Sequence, residues 1–443
     1  MKKISKAKFQ SWFSPLATQP TLLNWQRKLF QLTHLSQKPH VLKVWLQLDD
    51  PFSYLLLQQL PSLQQQYQVE LEILIIEKPV EAVQVEPVAY RSWSFSDAKA
   101  LADFYQLQPA IPRTVTIEWQ QALLNSQSDI KKLLQLFTAF HSEQSINVYH
   151  DQQSMHSQLM PTQIQENLDN NLQALQKSGH YLAAMIQYDG EFYWGIDRLN
   201  HLQQRLNQLQ LAKNNPIDDF SKRIEFEWQW FNQLMVAKKQ PSEITLYLSL
   251  RSPYSWLLFY RLKTLADQQL IKLNLKPLLP MVMRGLPVPS AKKFYILKDA
   301  AREAWLQNIP FGPVCDPLGK GVENGYAIWF ETLQQTPELA DEVLYRLMKA
   351  AWAQGKDLAD IDQLDKLIEQ SGLSGQLNLS CLQRQDWLPL LTEHRQTISE
   401  AGFWGVPVIE HNGAMAWGQD RLWQVVEVAT GKANEIEKIS APA

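Results

Sequence analysis

The chain repeats itself. Residues 41–60, "VLKVWLQLDDPFSYLLLQQL", align with residues 243–262, "EITLYLSLRSPYSWLLFYRL", so that Leu46, Leu48, Pro51, Ser53 and Leu60 fall on Leu248, Leu250, Pro253, Ser255 and Leu262. Further on, "SDAKALADFY" (96–105) meets "KDAAREAWLQ" (298–307), and "YDGEFYWGIDRL" (188–199) meets "HNGAMAWGQDRL" (411–422). Three matching blocks in one order predict a tandem duplication in which each half builds its own core. A chain of 443 residues is also too long for a single core. The junction is expected near "LAKNNPIDDF" (211–220), where Asn-Asn-Pro interrupts the helical pattern. The domains are therefore expected at 1–213 and 214–443.

Both halves read in the same order. A β-branched or aromatic strand enters a Pro-containing turn and a helix. A second strand follows, "VELEILII" (69–76) or "IKLNLKPLL" (271–279), and then a long helical stretch. The second half closes with "VPVIEHNGAMAWG", a hairpin turning at Asn412-Gly413, and a final helix stopped by Gly431. The order β-α-β, helical insert, β-β-α predicts an α/β protein with two thioredoxin-like folds in tandem, each carrying an inserted helical domain.

Composition removes several function classes. The net charge of −3 favours neither a nucleic-acid nor a membrane surface. No apolar run reaches membrane-spanning length, and the basic start lacks the apolar core of a secretion signal. The two cysteines, Cys315 and Cys381, are far apart in sequence, which suits a reducing cytoplasm and gives no disulfide framework. Cys315 reads as structural. The nine histidines show no metal-ligand spacing, so no metal is expected.

The turn "SLRSPYSWLLFY" (249–260) carries Ser252-Pro253-Tyr254-Ser255 at the place where many redox proteins carry Cys-x-x-Cys. Taken alone, Ser252 is a helix N-cap with proline at the first helical position. Three further stretches accompany it in order: "KFYILKDAAREA" (293–304), "GFWGVPV" (402–408) and "WGQDRL" (417–422). Together the four resemble the DsbA-like branch of the thioredoxin superfamily. Within it they resemble the kappa-class glutathione transferases and 2-hydroxychromene-2-carboxylate isomerases.

The resemblance implies glutathione as cofactor, with Ser252 facing its sulfur. A helix N-terminus stabilises a thiolate there. It implies that Val406-Pro407 is a cis-proline loop pairing with the cysteinyl part of glutathione. Asp420 is to face the γ-glutamyl ammonium, and Arg421 the carboxylate. Tyr254, Trp404, Trp417 and Lys293 are candidates for the substrate face, although Trp404 and Trp417 also read as core. Asp299 and Arg302, three apart, read as a helix-surface pair.

The first half departs from this pattern where it matters. Asp50 replaces Ser252 and Ala184 replaces Pro407, while Trp194, Gly195, Asp197 and Arg198 remain. A carboxylate aimed at a thiolate repels it, so the first half reads as a degenerate copy kept for packing. Members of the family pair through their thioredoxin domains, which leaves an intrachain pseudo-dimer as one arrangement. The resulting expectation is a glutathione-dependent isomerase or transferase acting on a hydrophobic or aromatic acid. The alternative is a non-catalytic binding protein of the same family. Dithiol redox chemistry lacks its cysteine pair.

Overall fold

The computed structural model describes residues 14–33, 39–78, 85–146, 159–214, 221–237, 241–286, 288–371 and 379–430. His150, His156, Gly431 and the junction residues 215–220 lie outside that set. Contacts gather the chain into two compact units. One comprises Leu29–Lys222 with Val288–Tyr295; the other comprises Met1–Lys28, Arg223–Pro287 and Ile296–Ala443. A single cut at 213/214 thus misses two short segments. The early residues group with the second half for a visible reason, since Ser14 Oγ accepts the Val314 N–H at 2.9 Å.

The first unit holds strands β1 (Val41–Leu46), β2 (Glu70–Ile75), β3 (Met185–Tyr188) and β4 (Glu191–Trp194) in the order β2-β1-β3-β4. The second holds β5 (Ser242–Leu248), β6 (Ile271–Pro277), β7 (Val408–His411) and β8 (Ala414–Trp417) in the order β6-β5-β7-β8. In each sheet the first pair is parallel and the remaining pairs are antiparallel. This is the thioredoxin-like arrangement, present in both units. Among the described residues between β2 and β3, and again between β6 and β7, the regular elements are helices. They form the two inserts.

Local sequence explains the elements. β5 is buried from Ile244 to Leu248 as a continuous apolar run, as expected of a strand covered on both faces. The β7–β8 hairpin turns where Asn412 and Gly413 both take positive φ, the conformation a two-residue I′ turn demands. The helix Pro253–Asp267 places Trp256, Leu257, Leu258, Phe259 and Leu262 in the second core. That core extends into the insert through Tyr326, Trp329, Leu344 and Trp352. Among the described residues no helix is long and apolar enough to cross a membrane.

Candidate functional site

Ser252 caps the helix Pro253–Asp267. Its φ of −106° and ψ of 113° are extended, and its Oγ accepts the Ser255 N–H at 3.1 Å. The cap uses one lone pair of the hydroxyl. The O–H donor is a separate valence, so capping and donation to a ligand are compatible. Ser252 is half-buried.

The insert holds this turn from behind. Arg251 makes a two-pronged pair with Asp316, at 2.8 and 2.7 Å. The Leu250 N–H donates to Tyr326 Oη at 3.0 Å, and Tyr326 in turn donates to the Leu278 carbonyl at 2.6 Å. Trp352 Nε1 donates to the Leu250 carbonyl at 2.9 Å. None of these anchors was singled out from the sequence. Arg251, next to Ser252, was the one available signal.

The other candidate residues converge through sheet geometry. Tyr247 pairs with Val408 and Val408 with Trp417. The end of β5, the start of β7 and the end of β8 therefore share one end of the sheet. Ser252, Val406-Pro407 and Asp420-Arg421 all follow from that end. The Val406-Pro407 bond is cis, as expected, and the bond before Ala184 is not. A second cis bond, Gly312-Pro313, was not foreseen. The Gly418 N–H donates to the Pro407 carbonyl at 3.0 Å, which ties the Asp420 turn to the proline loop.

Trp404 and Trp417 pack edge to face, with ring centroids 4.4 Å apart. The approach requires glycine at 405, where a Cβ would stand 2.5 Å from Trp417 Cζ2. Arg284 donates to the Trp404 carbonyl at 2.8 Å and so holds the same loop.

Asp420 and Arg421 precede the last helix, Leu422–Thr430, rather than opening it. Arg421 is almost fully buried and lies 3.4 Å from Asp420 Oδ1, so its guanidinium acts on Asp420. The neighbouring Gln419 enters a buried network. Its Nε2 donates to Glu303 at 2.7 Å, Glu303 pairs with Arg223 at 3.1 Å, and Arg261 donates to the Gln419 carbonyl at 3.2 Å.

Two readings of the helix Ser290–Leu306 change. Asp299 and Arg302 do pair, at 2.9 Å, but inside the protein, at 0% and 7% exposure. Tyr254 donates its hydroxyl to the same carboxylate, at 2.7 Å. Tyr254 is therefore a support for Asp299 as well as a wall. Lys293 is exposed and belongs to Val288–Tyr295, which groups with the other unit, so it is not gathered with Ser252 in one body. Cys315 is buried, as a structural residue should be, and Cys381 is buried too. Among the described residues no cluster of His, Cys, Asp and Glu could hold a metal.

The first unit has the same frame. Met185 pairs with Trp45 as Val408 pairs with Tyr247. The Gly195 N–H donates to the Ala184 carbonyl at 2.7 Å, and Arg198 donates to the Asp197 carbonyl as Arg421 does to that of Asp420. Asp50 caps its helix through the Ser53 N–H at 2.9 Å and also accepts the Ser53 hydroxyl at 2.6 Å. The Ala184 N–H, which a proline would lack, donates to Ser53 Oγ at 3.1 Å. Burial pushes the Asp50 carboxyl up to about 6. Packing does not fill this place. A cavity of about 650 Å³ opens there, lined by Asp50, Pro51, Tyr90, Leu123, Leu168 and Ala183 among others.

Residues 243–428 match the DSBA-like thioredoxin domain family. Glutathione S-transferase kappa 1 of Rattus norvegicus is 27% identical over 199 residues, covering 41% of this chain and 88% of the rat protein. Among solved structures, a 2-hydroxychromene-2-carboxylate isomerase is similar at 19% identity and a TM-score of 0.36, over 45% of this chain and all of that one. The cytosolic disulfide reductase DsbM from Pseudomonas aeruginosa is similar at 14% identity and a TM-score of 0.34, over 44% of this chain and 98% of that one.

Proposed function

We propose that the DSBA-like thioredoxin domain at 243–428 binds glutathione and uses its thiolate to isomerise or conjugate a hydrophobic or aromatic acid. The observation that carries this is Ser252. A hydroxyl caps the helix at the place of a redox thiol, in a stretch that matches the DSBA-like thioredoxin domain family, and the chain is 27% identical over 199 residues to a kappa-class glutathione transferase. With both cysteines buried, the reactive sulfur has to come from the ligand. The helix N-terminus and the Ser252 hydroxyl favour its ionised form.

In this reading Val406 offers backbone to the cysteinyl unit from a position just ahead of the β7 ladder. Asp420 meets the γ-glutamyl ammonium, and Arg421 holds Asp420 in place from beneath. Trp404 supplies an apolar wall for the substrate. In isomerisation the thiolate adds to a conjugated carbon, a bond rotates or re-closes, and the thiolate leaves unchanged. In this reading the two halves descend from a duplication. A reducing compartment suits two cysteines that form no disulfide.

Calorimetric titration with glutathione tests the reading. One site per chain that is weakened by Ser252→Asp is expected. Two equal sites, or none, would refute it. Turnover of conjugated aromatic acids then separates an enzyme from a binding protein.

A further inference from the structure

The cavity of the first unit sits at the end of β1, beside the helix Pro51–Gln66, and has a volume of about 650 Å³. That is the size range of pockets for small organic ligands, about 300–1,000 Å³. Its lining is about equally polar and apolar, with Leu48, Ile75, Ile76, Phe95, Leu123 and Leu182 forming the apolar part. Asp50 is part of the lining and is only 9% exposed. The groups that bond this carboxylate, the N–H and O–H of Ser53, carry no charge.

The cations nearby are committed elsewhere. Arg91 lies 3.5 Å from Asp49 and donates to the Arg113 carbonyl at 3.2 Å. Arg113 donates to the Phe140 carbonyl and lies over the Phe140 ring, 4.9 Å from its centroid. Lys78 and Glu77 also line the cavity and are exposed to solvent. Tyr90, Asp97 and Tyr181, the other titratable groups close by, add no positive charge. A buried carboxylate lining a cavity that is in part apolar, with only uncharged groups bonded to it, is complementary to a ligand that brings a cation.

We propose that the first unit binds a small hydrophobic amine, its ammonium against Asp50 and its apolar body against the cavity wall. The site is separate from the glutathione site and recognises the opposite charge. The substitution that removes thiolate binding from this half creates cation binding in its place. Asp50 must be ionised to bind, and its carboxyl, raised to about 6, is largely protonated at pH 5.

The experiment titrates the full chain with 2-phenylethylamine, with 2-phenylethanol and with 3-phenylpropionate, at pH 5, 6, 7 and 8. The expected result is preferential binding of the amine, with affinity rising about tenfold from pH 5 to pH 7 as a carboxyl of that pKa ionises. Asp50→Asn should weaken amine binding at least about tenfold while leaving the helix capped, since Asn caps as well as Asp. Four results would overturn the proposal: no binding of the amine, amine affinity that is flat or falls with pH, tighter binding of the acid, or amine binding unchanged in Asp50→Asn. The pH series on the parent chain decides the matter even if the variant does not fold.

Discussion

Ser53 donates its hydroxyl to Asp50 Oδ2 across 2.6 Å, and both residues are buried. This bond holds the Asp50 carboxylate in place but does not offset its desolvation, so its pKa stands near 6 against an ordinary 3.8. A carboxyl whose pKa is raised by folding contributes stability below the unfolded value and loses it as pH rises through the folded value. Asp50→Asn should therefore stabilise the first unit at pH 8 and change little at pH 4. The gap corresponds to on the order of 3 kcal/mol at most. Thermal unfolding at the two pH values measures it. Equal effects at both would mean that Asp50 is not held near pH 6.

His141 works in the opposite direction in the same unit. Burial lowers its pKa to about 4, while Nε2 lies 3.0 Å from the Leu48 carbonyl and the ring stacks on Tyr54. A histidine whose pKa is depressed by folding stabilises above its unfolded pKa of about 6.5 and loses that contribution as pH falls toward about 4. NMR of its ring protons should show no titration between pH 8 and pH 5.5. A midpoint near 6.5 would mean that the ring is solvated.

The strand order, the hairpin at Asn412-Gly413 and the capped turn at Ser252 were legible because each rests on local spacing or on a residue with few conformational options. Depth was not legible. Asp299 and Arg302 have the spacing of a surface pair, and helical spacing alone does not say which face is covered. Tyr254, 45 residues away in a different element, supplies the third member. The cavity at Asp50 was hidden for the same reason. Its volume depends on how the insert helices stand over β1, whereas the sequence displays only the substitution. The anchors Asp316, Tyr326 and Trp352 act across tens of residues and leave no mark at Ser252.

Asp316→Asn tests those anchors. The Arg251–Asp316 pair is partly exposed, so its loss should cost only about 1 kcal/mol of stability. The adjoining turn positions Ser252, so glutathione affinity should fall about threefold or more, a larger relative effect than the unfolding change implies. Calorimetry beside denaturant unfolding makes the comparison. Unchanged affinity would show that the turn is rigid without the pair.

Tyr254→Phe removes the hydroxyl from Asp299, a fully buried carboxylate, and should destabilise the second unit by about 1.5–3 kcal/mol. Glutathione affinity in the folded variant should stay within about twofold. A large loss of affinity with unchanged stability would instead place the hydroxyl on the ligand.

Ser252 itself separates capping from sulfur recognition. Ser252→Ala removes one hydrogen bond to a charged sulfur, about 1.5–3 kcal/mol. The pKa of the bound thiol should therefore rise by roughly one to two units, at 1.36 kcal/mol each. The helix N-terminus remains, so the bound thiol should stay more acidic than in free glutathione. Ala also removes the cap to the Ser255 N–H, at about 1 kcal/mol, whereas Asp keeps a cap. Asp50 demonstrates that retention in this same chain, since it caps its helix through Ser53. A residue that only caps therefore tolerates Asp and suffers from Ala. A thiolate partner suffers most from Asp, which sets like charge against the sulfur. Ultraviolet absorbance of the thiolate, followed against pH for the parent, Ser252→Ala and Ser252→Asp, reads the order directly. The expected order of thiolate binding is parent, then Ala, then Asp. If Ser252→Asp binds the thiolate as well as the parent does, the hydroxyl only closes the first turn of a helix.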